Sequence, residues 1–525
     1  MAAGDAALQA MGYDQELHRS FSLIGVIGFS FSIVTCWTAL AGTMTVGIEA
    51  GGPPVMVWSW IAVSVCALAV ALSFAECCAQ YPVAGGQYSW VAAIAPKRFA
   101  RGMSWVTGWF MLIGLIAIGA VNNFIGANFI LGLANLVNPD YVIERWHTTL
   151  LCYLIILIFG INNIFAPRLL DGLSKFLLFW NILSFFAVTI TMVATCKEYQ
   201  SPSFVFTSYR NDTGLNPALA VIAGLLQSLF GMCCYEAPAH MVEELRNPTR
   251  DAPIAMVTAV LLGSVTGLCF LVASFFCVGD IDSVANSSTG VPLIQILYNC
   301  TQSIGGTCVL SSMIIVIVLF CANSLMAETS RSVYAFARDR ALPFSKTFSA
   351  VHPRLAIPVP AILLTMVGQA VLNTIYIGSY TGFNTVVSIS TQGFYISYAM
   401  PLVARLMSEI GSDAKPMRHP KYSLGRWSLP INLFGAVFLI VASISFSFPS
   451  EGPVTADNMN YSSAAIAVIM LISLATWVCG GRKNYSIPNF IDIIDSVDSS
   501  NTEGGEHGVV TTSEKVEASS AKSST

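Results

Sequence analysis

Apolar stretches of roughly 20 residues or more alternate with short polar segments along this chain. Twelve run roughly over 21–46, 54–80, 103–136, 148–166, 174–196, 217–240, 254–279, 308–333, 358–378, 383–407, 428–448 and 462–481. At about 1.5 Å per residue, a helix of that length crosses a hydrocarbon core about 30 Å thick. Lipid offers no partner to backbone N–H and C=O groups, so each stretch is predicted to be helical. The pattern therefore predicts one twelve-span membrane domain over 21–481. A polar lead at 1–20 precedes it. The tail at 482–525 is rich in Ser, Thr, Glu and Gly, lacks apolar periodicity, and is predicted to be disordered. In the longest outer loop, 280–307, Val291–Asn299 has apolar residues at helical spacing and predicts a short helix lying on the membrane surface.

Charge placement orients these spans. Charged residues make up only 10% of the chain, the apolar fraction is 55% and the mean hydropathy is +0.67. With the N-terminus placed in the cytoplasm, 20 of the 25 Lys and Arg fall on the cytoplasmic side. Only Arg145, Lys197 and Arg210 fall outside, and Lys515 and Lys522 lie in the tail. A miscounted span would mix the two classes, so an even number of spans with both termini cytoplasmic is expected. The glycosylation pattern Asn-x-Ser/Thr occurs at Asn211, Asn286, Asn299 and Asn460, all in predicted outer loops, and at Asn484, expected inside and unmodified. A net charge of −4 excludes a nucleic-acid partner. The 14 Cys show no metal or redox spacing and read as small packing residues, with Cys300 and Cys308 the one pair considered for an outer disulfide. Lys515 and Lys522 sit among Ser and Thr, where ubiquitin-ligase machinery could act.

Ionisable side chains inside a bilayer are functional hypotheses by default. Glu76 ends the second span, Lys175 begins the fifth, and Glu236 and His240 lie late in the sixth. They form no catalytic set and carry no metal spacing, so neither an enzyme, a cofactor nor a metal site is expected. The first span reads GVIGFSFSIVTCWT over 25–38, and the sixth reads GLLQSLFGMCCYEAP over 224–238. Small and helix-breaking residues at mid-depth fit either a pair of interrupted helices around a transported solute or close helix packing.

Three longer motifs occur in order. They are AECCAQYPVAGGQYSW at 75–90, YEAPAHMVEELRNPTRDAP at 235–253, and FARDRALP at 336–343 followed by HPRLAIPVPA at 352–361. Together they resemble the amino acid–polyamine–organocation permeases. The stretches AGGPPVMVW (50–58), FVFTSYRNDTG (204–214), TGVPLIQILYN (289–299) and FPSEGPVTADNMNY (448–461) resemble the fungal branch containing choline and γ-aminobutyrate permeases. The resemblance spans roughly 17–480.

That resemblance implies an all-α fold of five-plus-five inverted repeats with spans eleven and twelve peripheral. It implies transport of a small amino acid or amine, commonly driven by protons; a non-transporting nutrient receptor and an exporter are the alternatives, and the plasma membrane is the expected location, with a vacuolar membrane leaving the same marks. By the resemblance, substrate contacts fall at Ser32, Thr35, Cys36, Trp37 and Thr38 in the first span and at Phe230, Gly231, Cys234, Tyr235 and Glu236 in the sixth. Asn122, beside Asn123 in the third span, and Asn323 in the eighth are added by fold analogy. Glu236 either meets a substrate ammonium or braces the helix, and Trp37 either closes over the substrate or forms a packing wall. Lys175 and Glu236 are the proton-coupling candidates, with plain snorkelling the other reading of Lys175. Glu76, Glu243 and Glu244 are expected to pair with Arg residues at the inner helix ends.

Overall fold

All twelve apolar stretches are helical in the computed structural model, which describes residues 8, 13, 15–17, 19, 21–166, 169–285, 287–410, 422–455 and 458–486. Asn286, Lys515, Lys522 and most of the polar lead and tail lie outside the described residues. The first stretch is two helices, α1 (Leu23–Val34) and α2 (Cys36–Glu49), meeting at Thr35. Then come α3 (Gly52–Gln80), the short α4 (Gln87–Ile94), α5 (Lys97–Val137), α6 (Arg145–Phe165) and α7 (Leu169–Thr195). The sixth span is α8 (Pro217–Gly231) and, after five non-helical residues, the single turn α9 (Ala237–His240). The remaining spans are α10 (Pro248–Phe276), α12 (Ile304–Arg338), α13 (Val359–Gly378), α14 (Tyr380–Ile410), α15 (Ser428–Ser445) and α16 (Ser462–Thr476), with α11 (Pro292–Thr301) between α10 and α12.

Ten of these spans, counting α1–α2 as one, are long and apolar enough to cross a membrane. The sixth falls short because it is halved, and the tenth carries Ser, Thr, Gln and Tyr along its length. Span n packs on span n+5 four times over: α2 on α8, α3 on α10, α5 on α12 and α6 on α13. Two inverted five-helix repeats put such equivalent pairs in contact around their shared axis. Lipid-type exposure lies outside this core. On α6 the apolar side chains Leu150, Leu154, Ile158, Ile161 and Phe165 are exposed at helical spacing. Two-residue strands, β1 (Ala50–Gly51) and β2 (Arg210–Asn211), pair antiparallel at the end of the molecule poor in Lys and Arg.

At that same end α11 departs from the sequence expectation. Rather than lying on a membrane surface, it buries Leu293, Ile294, Ile296 and Leu297 against the protein, packing on α2, α7 and α12. Its apolar face finds protein partners, so it caps the bundle.

The Arg-rich end is tied by ion pairs inside the fold. Arg405 meets Glu76 at 2.8 Å, Arg331 meets Glu244 at 2.8 Å and Arg338 meets Glu243 at 2.9 Å. The three carboxylates expected to hold helix ends therefore each do so with an Arg. Glu76 also accepts from Ser428 at 2.7 Å, joining α3, α14 and α15. Removing one partner from such a buried pair strands a charge and costs about 3–5 kcal/mol.

Candidate functional site

The two breaks face one small cavity of about 30 Å³, room for little more than a water molecule. That is well below the roughly 300–1,000 Å³ common for small-molecule sites, so the space between the breaks is closed down in this structure. Its walls come from four spans: Thr35, Thr38 and Ala39 of the first, Ile118 and Asn122 of the third, Phe230, Cys233 and Cys234 of the sixth, and Val318, Cys321 and Leu325 of the eighth. The lining is largely apolar with a few polar groups, which suits a small solute bearing one or two polar ends.

At the first break Thr35 leaves helical geometry at φ 14°, ψ 39°. The turn remains bonded: the Thr35 N–H reaches the Phe31 carbonyl at 3.2 Å, and the Thr38 N–H and hydroxyl reach the Thr35 carbonyl at 2.9 and 3.0 Å. Ser32 meets Ser324 of α12 at 3.0 Å, pinning α1 to the eighth span. Helix ends leave backbone groups without helical partners. The C-terminus of α1 therefore offers carbonyls to a cation and the N-terminus of α2 offers N–H groups to an anion, both at the cavity wall.

The sixth-span break is longer and leans on α14. Cys234 sits in the left-handed region at φ 63°, a conformation costing a non-glycine residue roughly 1–2 kcal/mol. Its N–H donates to the Tyr398 hydroxyl at 3.0 Å, and that hydroxyl donates to the Glu236 carboxylate. Tyr395, one turn earlier on α14, donates to the Leu229 carbonyl at 3.0 Å near the end of α8. Gly231 is forced by packing, since a Cβ there would lie 2.9 Å from the Trp60 ring. Pro238 falls in the first turn of α9, where its missing N–H costs nothing.

Of the expected site residues, Thr35, Thr38, Asn122, Phe230 and Cys234 line the cavity. The others stand elsewhere. Trp37 points away and donates to Asn181 of α7 at 2.7 Å, walled by Phe185 and Phe270. Cys36 faces Met232 behind the break. Asn323 turns outward to accept from Asn162 and Asn163 of α6 at 2.8 and 3.0 Å. Asn123 donates to Gln369 of α13 at 3.1 Å. Tyr235 packs against Phe74 and Tyr398. Glu236 is fully buried behind the cavity wall. Lys175 sits at the Arg-rich end, 44% exposed and 2.6 Å from Asp171. Cys300 lies with Cys196 and Cys277, all three sulfurs within 4.8 Å, rather than with Cys308. Asn211 of β2, Asn299 of α11 and Asn460 in a loop stand at the end opposite the Arg-rich one, and the Asn460 amide donates to the Phe446 and Phe448 carbonyls.

Below the cavity, toward the Arg-rich end, polar layers close the bundle. Gln15 donates to the Glu243 carbonyl at 2.8 Å and Tyr334 to Glu16 at 2.6 Å. Asp339, just past α12, accepts from Tyr13 at 2.9 Å and Tyr88 at 2.8 Å. Burial pushes the Asp339 carboxyl up to about 6, against the opposing pull of Arg338 and the two tyrosine donors. Gly86, at φ 57°, lies against the buried His240 ring, so the glycine pair of the 75–90 motif shapes this closure.

Sequence reasoning missed Tyr395, Tyr398 and Glu328. Glu328 is an ionisable residue inside a predicted span, which is itself a readable signal. The tyrosines gave none.

The family model for amino acid permeases matches residues 21–472. A Macrophomina phaseolina protein named for amino acid/polyamine transport is 56% identical over 440 residues, covering 84% of this chain and 97% of that one. The choline transporter of Saccharomyces cerevisiae is 29% identical over 91% of this chain and 84% of its own length. An amino-acid permease of Arabidopsis thaliana is 30% identical over 93% of this chain and 96% of its own.

Proposed function

The chain belongs to the amino acid permease family, and from that premise we propose that it is a secondary transporter carrying a small amino acid or amine, choline and γ-aminobutyrate among the candidates, by proton symport. One observation carries the reading: two helices interrupted in equivalent positions of the two repeats border the same cavity. Bare peptide groups survive at that depth where they line a cavity or are buried. Thr35, Thr38, Asn122, Phe230 and Cys234 are the substrate contacts in this reading. The Arg-rich end, with both termini, faces the cytoplasm of a plasma-membrane protein. The layers around Glu243, Glu244 and Asp339 are then the closed inner gate.

Transport follows if the solute and a proton bind more tightly to one of two alternating states, because only differential affinity shifts their balance. The test is uptake of a radiolabelled panel of amines and amino acids by a transport-deficient host expressing the chain. Accumulation of at least one solute, abolished when the proton gradient is collapsed, is expected. Binding without accumulation would mark a receptor, outward movement alone an exporter, and either result overturns the proposal.

A further inference from the structure

Directly below the cavity, three buried side chains converge. Glu236 follows the cavity-lining Cys234 by two residues, and Glu328 follows the cavity-lining Leu325 by one helical turn. With His240 they bring one ligand-type atom each within 4.8 Å of one another, and all three residues have no exposed surface. Four of their atoms have no hydrogen-bond partner among the described residues: Glu236 Oε1, both Glu328 oxygens and His240 Nε2.

With both carboxyls ionised and the His240 ring neutral, all four are acceptors. His240 Nδ1 lies 3.1 Å from the Ala84 carbonyl, which can only accept. Nδ1 therefore carries a hydrogen, and in the neutral ring Nε2 presents a lone pair. Acceptors alone repel, and two ionised carboxylates side by side in a dry interior are strongly disfavoured. Among the described residues no cation is left to balance them, and the Gln87 amide of α4 is a neutral donor beside Glu236. Arg331, one turn beyond Glu328, is taken by Glu244, and Arg338 by Glu243. The other titratable groups near the pair are Cys233, Cys234 and Tyr235 of the break, Cys321 of α12 and Tyr398 of α14, none of which can be a cation.

We propose that Glu236 and Glu328 are two halves of one proton site, sharing a single exchangeable proton that rests on Glu328. This deepens, and rests on, the transporter reading. The assignment to Glu328 follows from the donors: Tyr398 donates to Glu236 and favours its ionised form, while no group donates to Glu328. The Glu328 carboxyl then donates to Glu236 Oε1. When the sixth span swings away from the eighth, the carboxyls separate, one proton leaves and two carboxylates remain. His240 Nε2, one helical turn beyond Glu236, is the next acceptor toward the gate. Proton affinity thus differs between the two states, which is what coupling requires.

Infrared pH-difference spectra of the purified full chain in lipid nanodiscs test this without a substrate. Wild type is expected to show a protonated-carboxyl C=O band at neutral pH that disappears on alkalinisation. Glu328→Gln removes the like charge, so the remaining carboxyl ionises at least tenfold more readily, about one pH unit lower, and the band is lost at neutrality. Glu328→Asp restores it. A melting curve for each variant separates misfolding from a changed proton site. An unchanged band in Glu328→Gln, or none in wild type, overturns the proposal. So does a wild-type band that emerges only after chelation, because a metal ion would then occupy the cluster. The transport reading fails separately: a pH-sensitive band with no solute accumulated from the panel leaves the proton pair standing. Accumulation without a band leaves the transporter and removes the pair.

Discussion

The first span turns at a single residue, Thr35, whereas the sixth leaves helical geometry for five, Met232 to Glu236. The shorter break is bonded mainly within itself, with outside ties to the eighth span at Ser324 and Cys321. Its N–H groups and the Thr38 hydroxyl find carbonyls within the same few residues. The longer one is held from outside, by Tyr395 and Tyr398 of the tenth span. A self-bonded kink holds its shape wherever the helix goes. A kink held by a neighbour lasts only while that neighbour stays in register. The sixth-span break is therefore the one that a bound solute or a proton can switch.

Substitution at Gly231 is the severest way to break that asymmetry. A β-branched side chain there must displace Trp60, with the first Cβ already 2.9 Å from the ring and 3.4 Å from Leu40. Overpacking of this kind costs roughly 1–3 kcal/mol, and it falls where α8 must end. Gly231→Val is expected to abolish uptake with membrane insertion intact. Normal uptake at normal surface level would remove the sixth-span break from the site.

The external support itself can be measured. Tyr398→Phe leaves the Cys234 N–H and one Glu236 oxygen buried without their partner, at about 1–3 kcal/mol for each stranded group. Thr38→Val removes one hydroxyl bond at the first break, where the backbone bond to the same carbonyl remains, and should cost about 1 kcal/mol. Thermal unfolding of the purified protein should rank Tyr398→Phe well below Thr38→Val. Equal losses would mean that the two breaks are held alike.

Glu236→Gln sharpens the chemistry of the longer break. If the carboxylate meets a substrate ammonium once the break opens, cationic substrates should lose about tenfold in apparent affinity, roughly 1.4 kcal/mol, and zwitterions less. An equal loss for both places Glu236 in helix bracing alone.

The hydropathy pattern revealed the spans because lipid demands long unbroken apolar stretches. The sixth break was legible in the crowding of Gly231, Glu236 and Pro238. The first showed only as a polar cluster, and its individual side chains could not be aimed. A turn of about 100° per residue sends Trp37 to α7 while Thr35 and Thr38 face the cavity. Glu328 and Glu236 lie 92 residues apart and Tyr398 a further 70 beyond Glu328. Nothing local joins them, since only the packing of spans six, eight and ten does.

Beneath the sixth-span break, the closure at Asp339 should respond to pH. Its folded value, about 6, lies above its usual 3.8, so folding favours the protonated acid. That contribution is full below about pH 4 and is lost as pH rises through about 6. At about 1.4 kcal/mol per unit, the change is at most about 3 kcal/mol. Melting temperature should fall over this interval in wild type, and Asp339→Asn should flatten the fall. A parallel fall in the variant assigns the effect to another group.

The smallest effect is expected at Lys175, and it tests the other half of the comparison. Lys175 touches the first span only through Asp171, which accepts from the Ser22 N–H and hydroxyl at 3.1 and 3.2 Å and so anchors the start of α1. The pair is i,i+4 with the lysine 44% exposed, a setting in which an ion pair contributes about 0.5 kcal/mol. Removing the lysine leaves the Asp171–Ser22 bonds in place. Lys175→Gln should therefore keep uptake and its pH profile, while Asp171→Ala, which strips the anchor, lowers uptake severalfold. A shifted pH profile in Lys175→Gln would mean that the self-supporting break also carries a proton, and the division of labour between the two helices would fail.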